Sequence, residues 1–415
     1  MKDFPVHNFN RSDQLTTGSA FWSSVKCKLS PLDFDDLIAT AIRRTRLKDF
    51  GDPPYDDALR VLINACNGEA NLSLFGQFVA RQHLLDLLET RLRLVSYWRQ
   101  KPQILEQPIH QPIFITGMPR SGTTFLHNLF AQDPRNRVPL TWEVMFPLSP
   151  TSYRTHSSDP RISKAEKRLR LLRWIRPAIT KAHSIGASLP QECIAILSYS
   201  FYSDEFLCMF RIPSYEAWLR ASDLGKAYEF HRSFLRHLQW LCPGERWVLK
   251  APDHVHSMET LLRIYPDARI VFLHRDPMKV LGSVASLTRI LRGAFSNHID
   301  LRQVVDTEAR NLAEKTLKIM EFQDQYKDQA DRFINVHYLD LVRNPIRTVQ
   351  RIHNHFGFTL SNSAEACMRA FLSARHNEKR PKHLYRLTDF GLDPYQKTPH
   401  FGAYYERFAI ERETL

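Results

Sequence analysis

At 415 residues the chain is long enough for one large domain or two, and with 43% hydrophobic and 24% charged residues it has a globular make-up, which excludes a disordered or fibrous protein. Lysine and arginine outnumber aspartate and glutamate by 57 to 44, so the formal charge is +13 and the surface attracts anions: a phosphorylated cofactor, an acidic substrate, nucleic acid or a membrane. The six cysteines, at 27, 66, 193, 208, 242 and 367, form no CxxC pair and no compact framework, which argues against a zinc site or a disulfide scaffold and fits a reducing compartment.

The opening "MKDFPVHNFNRSD" has no apolar core of a signal peptide, and no stretch approaches the roughly 18 apolar residues of a membrane span, so the sequence reads as a soluble, cytoplasmic protein. "SPLDFDDLIATAIRRTRL" predicts a helix with Ser30 and Pro31 in capping positions. "SLFGQFVARQHLLDLLETRLRLVSYWRQ" predicts a second, its arginines on a solvated face. The prolines of "KPQILEQPIHQP" mark a boundary: a helical N-terminal region over 1–107, then an α/β domain over 108–415.

That domain starts with the strand "IFIT", a glycine-containing loop and a helix. From about 147 to 243 the strand signals disappear and helices such as "AYEFHRSFLRHLQWL" predict a helical insertion. Strands return at "RWVLK" (246–250), "ARIVFLHR" (268–275) and "RFINVHY" (332–338), each followed by helical sequence. The alternation predicts an α/β fold: a parallel, P-loop-like sheet flanked by helices. Ligands of such a sheet bind beyond the carboxyl ends of its strands. This directs attention to Gly117–Thr124, Lys250–His256, Arg275 and Tyr338.

A loop leading from a strand into a helix aims backbone N–H groups at one point and cradles an anion. The nucleoside-triphosphate version reads G-x-x-x-x-G-K-[ST]. Here it reads G-M-P-R-S-G-T-T, with Thr123 in place of the lysine and Arg120 supplying positive charge from inside the loop, a pattern for phosphate chemistry without magnesium. A second anion anchor combines Arg275, at a strand end, with Ser283 in the following helix.

Together these segments resemble the sulfotransferases that use 3′-phosphoadenosine 5′-phosphosulfate, over nearly the whole chain from Pro112 to about Arg407. The resemblance implies that Arg120, Ser121, Gly122, Thr123 and Thr124 hold the phosphosulfate end and that Arg275 and Ser283 hold the 3′-phosphate. Phe125 stands where the cytosolic branch stacks a tryptophan on adenine, and "HYLDLVRNP" makes Tyr338 a nucleotide contact. "HLYRLTDFGL" resembles a terminal segment folded over the nucleotide, which adds Tyr385 and Arg386. The "PRSGTT" loop looks more like tyrosylprotein sulfotransferases and bacterial relatives, and "LPQEC", "PSYEAWL" and "RWVLKAPDH" resemble a bacterial group with small-molecule acceptors.

Sulfuryl transfer requires a base for the acceptor proton and cations on the leaving oxygen. Lys250 matches a lysine of the tyrosylprotein branch and stands with Arg120 as the cation pair. Glu143 matches that branch's base in placement, with a pKa expected to rise by desolvation beside Trp142 and Phe146. His254, expected to titrate near neutrality, and Glu192, in the insertion, are the rival bases. Two other functions stay open: a P-loop kinase for a small alcohol, which lacks its lysine and magnesium aspartate here, and a nucleotide-binding module without chemistry. The sequence calls for no metal and no nucleic-acid partner, and leaves acceptor and oligomeric state open.

Overall fold

The computed structural model describes residues 30–148, 150, 152, 155–175, 186–377 and 398–413; Tyr385 and Arg386 lie outside them. Among the described residues three helices come first. α1 (Phe34–Thr45) is capped by Asp33, whose carboxylate accepts the Asp36 N–H at 2.8 Å, so the start expected at Ser30 and Pro31 lies too early. Aspartate caps as well as serine, and the run of acids hides which residue turns the chain. α2 (Asp56–Glu69) follows, then α3 (Leu74–Gln100), whose cap Ser73 accepts the Gly76 N–H at 3.0 Å.

The arginines of α3 do not all face solvent. Arg91 is fully buried and donates to the carbonyls of Phe50, Gly51, Pro53 and Tyr199, with its guanidinium 4.4 Å from the centre of the Phe230 ring. Burial lowers its pKa to about 10. Helical periodicity registers the charge of an arginine and not the four carbonyls that can make its burial tolerable.

Next come β1 (Ile113–Gly117), α4 (Thr123–Phe130), the two-residue β2 (Asn136–Arg137) and α5 (Thr141–Met145). The insertion supplies α6 (Pro160–Ile175), α7 (Cys193–Leu197), α8 (Glu205–Met209), α9 (Pro213–Ala221) and α10 (Gly225–Gln239). Among its described residues it adds only an isolated bridge from Leu140 to Pro190. The rest alternates: β3 (Arg246–Lys250), α11 (Met258–Ile264), β4 (Arg269–His274), α12 (Pro277–Arg292), α13 (Leu301–Gln325), β5 (Phe333–His337), α14 (Tyr338–Arg343), α15 (Pro345–His355), α16 (Asn362–Asn377) and α17 (Gly402–Phe408).

The five strands pair in the order β2-β3-β1-β4-β5, every pair parallel. β1 is central, with Ile113 opposite Val248 on one side and Arg269 on the other. All five residues of β1 are buried, as a strand covered on both faces must be. Alternate side chains enter two cores. Phe114, Leu249, Ile270 and Phe272 join one that reaches the N-terminal helices and the insertion through Leu59, Leu88 and Phe230. Ile113, Ile115, Val248 and Val271 join another with Leu126, Val349 and Ile352. Helices thus cover both faces and leave the carboxyl ends of β1, β3 and β4 to loops. β2, of two residues, is too short to carry a period-2 signal in the sequence.

Candidate active site

The turn after β1 is tied to its neighbours. Gly117 has φ +124°, and a Cβ there would lie 2.4 Å from the backbone oxygen of Leu273 on β4, so only glycine fits. Gly122 has φ +93°, and its missing Cβ leaves room for the Tyr338 ring 3.0 Å away. Arg120 takes a left-handed φ of 60° between them. Ser121 is buried and its hydroxyl donates to the Met118 carbonyl at 2.6 Å, a bond internal to the loop. Thr123 and Thr124 then open α4, which has no side-chain cap, so its first N–H groups are left for an anion at the loop.

Three cations meet this loop. Lys250, at the end of β3 and 1% exposed, donates from Nζ to the Thr124 hydroxyl at 3.1 Å and forms an ion pair with Glu192. Arg120 donates from Nε to the Ser283 hydroxyl at 2.9 Å. Arg275 donates to the Arg120 carbonyl at 2.8 Å and lies 3.9 Å above the Tyr338 ring. The two anion anchors read separately in the sequence are therefore one connected structure. Arg275 also makes a bidentate pair with Glu413, which the sequence gave no reason to place here.

The proposed bases occupy three different environments. Glu143, 4% exposed, accepts from Arg137 through both oxygens, takes the Leu140 N–H at 2.9 Å and lies 3.0 Å from His156 Nε2. Burial pushes its pKa up, as the sequence suggested, but Arg137 and His156 outweigh burial and hold it at about 2. The expected rise is thereby corrected: Trp142 and Phe146 are near, but so is a buried guanidinium that begins six residues earlier, in the unrecognised β2. His254 is corrected likewise. Its ring is 1% exposed, shares a 2.6 Å hydrogen bond between Nδ1 and the Tyr228 hydroxyl, and meets Phe114 edge-on. Burial lowers its pKa to about 3, so it does not titrate near neutrality. Glu192 alone of the three touches a residue of the loop cluster, through Lys250.

The aspartates after the strands are engaged. Asp253 pairs with Lys315. Asp276 accepts the Met278 N–H at 2.9 Å, the Tyr405 hydroxyl at 2.6 Å and the Glu413 N–H at 2.8 Å. Among the described residues no group of three or more His, Cys, Asp or Glu is arranged to hold a metal. The Phe125 ring is covered by the Arg375 guanidinium at 4.5 Å.

The model of the sulfotransferase family matches residues 112–362, from the start of β1 into α16. The chain belongs to the sulfotransferase family. This sulfotransferase is similar over its length to sulfotransferase STF1 of Mycobacterium tuberculosis, with 30% identity, a TM-score of 0.80 and coverage of 90% of this chain and 99% of that one. It is equally similar to sulfotransferase STF9 of Mycobacterium avium, with 29% identity, a TM-score of 0.82 and coverage of 92% and 100%. In sequence it is 23% identical over 389 residues to the omega-hydroxy-beta-dihydromenaquinone-9 sulfotransferase Stf3 of Mycobacterium bovis and of Mycobacterium tuberculosis, covering 85% of this chain and 83% of theirs. The sulfotransferase is thus an enzyme of sulfuryl transfer on an α/β fold with a P-loop-like sheet, as its sequence predicted. Among its described residues no helix is long and apolar enough to cross a membrane.

Proposed function

We propose that the sulfuryl donor is 3′-phosphoadenosine 5′-phosphosulfate, that the acceptor is a small molecule carrying a hydroxyl, and that Lys250 and Glu192 serve the transfer. The reading is carried by one observation: Arg120 of the phosphate loop joins Ser283 by its side chain and Arg275 by its carbonyl. Two phosphate anchors tied together at one loop suit a nucleotide with phosphates at both its 5′ and 3′ positions. The donor supplies the sulfuryl group, whose bond to the leaving phosphate breaks as its bond to the acceptor oxygen forms. The loop amides and Arg120 hold the phosphosulfate end, Arg275 and Ser283 the 3′-phosphate, and Tyr338 flanks the nucleoside.

Lys250 holds its ammonium beside Thr124, where negative charge gathers on the leaving oxygen. Glu192, in contact with that ammonium, takes the acceptor proton. In this reading residues 108–415 form the transferase unit, and the insertion at about 147–243, which contributes Glu192, forms the acceptor side. Stf3 acts on a dihydromenaquinone, and a lipid-like alcohol or quinol is the acceptor class we assign here. A cytoplasmic site agrees with the unpaired cysteines described at 66, 193, 208, 242 and 367.

Thermal melting tests the donor. Adenosine 3′,5′-bisphosphate should raise the melting temperature more than ATP with magnesium. An equal or larger shift with ATP and magnesium would remove the donor assignment and restore the kinase reading.

A further inference from the structure

The helix α6 lies on the acceptor side and has two unlike faces. At about 100° per residue, Ile162, Ala165 and Leu169 fall on one side, and Lys167, Leu171 and Trp174 on the opposite one. The first face is packed: Ala165 and Leu169 are buried with Trp142, and Ile162 packs against the same cluster together with Met145 and Phe146. These partners flank Glu143 on α5, so α6 is fixed to the body of the enzyme. The second face is uncovered. Trp174 is 80% and Leu171 56% exposed, the two most exposed large apolar side chains among the described residues.

The charge of α6 is as uneven as its exposure. Between Pro160 and Ile175 there are six lysines and arginines and one acid, Glu166. Three of the basic residues are matched by carboxylates: Arg161 by Asp159, Arg168 by Asp86 and Arg173 by Glu166. Of the other three, Lys164 holds its ammonium 4.2 Å from the centre of the Phe146 ring and Arg170 adds to the field that lowers the Glu166 pKa, while Lys167 forms no ion pair with a described carboxylate, so the helix keeps a clear excess of positive charge. Isolated in water, an exposed Trp and Leu beside an excess of cations gain nothing. At a bilayer with anionic headgroups, the cations meet phosphates while the indole and the leucine enter the boundary between headgroups and acyl chains.

We propose that α6 is a peripheral membrane-docking helix, which seats the enzyme on an anionic lipid surface with its acceptor side toward the bilayer. The occupant follows from charge complementarity: the face pairs a cationic stripe with inserted apolar groups, which a lipid surface satisfies and a nucleic acid, having no apolar interior, does not. The inference rests on the acceptor reading above only for its purpose, since a lipid-like acceptor is met where it is dissolved. Binding to lipid itself is measured without donor or acceptor, so the two fail separately.

Flotation of the full chain with vesicles tests it. The protein should float with vesicles of phosphatidylcholine and phosphatidylglycerol, far less with phosphatidylcholine alone, and less again as salt is raised. Leu171→Ala with Trp174→Ala should weaken partitioning about tenfold, because the inserted apolar area is lost. Lys167→Glu with Arg170→Glu should weaken it at least as much, with the melting temperature of both variants at the wild-type value. The proposal is overturned if the wild-type chain stays with the soluble fraction at every composition. It is overturned equally if charge reversal abolishes flotation while the Leu171 and Trp174 variant floats like wild type and short duplex DNA competes, which would make the face a general polyanion surface.

Discussion

Arg275 grips Glu413 through two parallel hydrogen bonds, Nε to one carboxylate oxygen at 2.7 Å and Nη2 to the other at 2.8 Å, while the Glu413 N–H is held by Asp276. A carboxylate in a bidentate grip on an arginine presents two oxygens as a phosphate would. Under the donor assignment, Glu413 occupies the seat of the 3′-phosphate, and the nucleotide must displace it. Binding to a state populated only in part lowers the apparent affinity by that fraction.

Glu413→Gln should therefore strengthen adenosine 3′,5′-bisphosphate binding about tenfold, by loosening a competitor that has full negative charge. Adenosine 5′-phosphate, which has nothing to place at Arg275, should bind both proteins alike. Arg275→Ala should weaken the bisphosphate by about 1.5–3 kcal/mol, the value of a charge-assisted contact. Calorimetry separates the possibilities. An unchanged affinity in Arg275→Ala removes the phosphate assignment, whereas a normal loss there with no gain in Glu413→Gln removes only the competition.

Glu143 leads to a prediction about stability. Its carboxylate is buried with Arg137 and His156, and its pKa is brought down from 4.5 to about 2. A carboxylate depressed in the folded state stabilises above its unfolded pKa, and that contribution is lost as the pH falls through the folded value. The loss should thus run from about pH 5 to about pH 2. Glu143→Gln leaves Arg137 buried without its charge partner and should cost about 3–5 kcal/mol of stability. Denaturant melts at pH 7 and pH 4 should show the deficit shrinking toward the lower pH. The folded fraction should turn over within a few-fold of wild type. A hundredfold fall in kcat at unchanged stability would instead make Glu143 the base.

The architecture was legible because its signals are local. The buried apolar run of "IFIT", the glycines on either side of Arg120 and the strand-end position of Arg275 each follow from a few neighbouring residues, and all appear in the structure as read. The misreadings concern charge at a distance. Arg91 looked solvated because its four carbonyl partners lie on segments around Phe50 and Tyr199. Glu143 looked like a raised carboxylic acid because Arg137 sits in a strand of two residues and His156 beyond it. His254 looked titratable until Phe114 and Tyr228 closed over it. The Glu413 contact spans 138 residues, and no periodicity reaches that far.

The proposed chemistry turns on Lys250 and Glu192. They come from β3 and from the loop entering α7, and meet in an ion pair beside Thr124. If Glu192 takes the acceptor proton, Glu192→Gln keeps the side chain's shape and removes its proton affinity. Turnover should then fall by about 10² to 10⁴, with bisphosphate affinity changing far less because Glu192 reaches the donor site only through Lys250. Lys250→Met removes the cation at the leaving oxygen and should lower kcat by a comparable factor. Since each residue acts through the shared step, the double variant should be little worse than the poorer single one. Single-turnover rates with one acceptor, alongside donor affinities, give all three numbers. Losses that multiply would mean that the two residues act independently. A Glu192→Gln enzyme turning over at the wild-type rate would show that the proton leaves by another route, with the ion pair serving only to hold Lys250 at the loop.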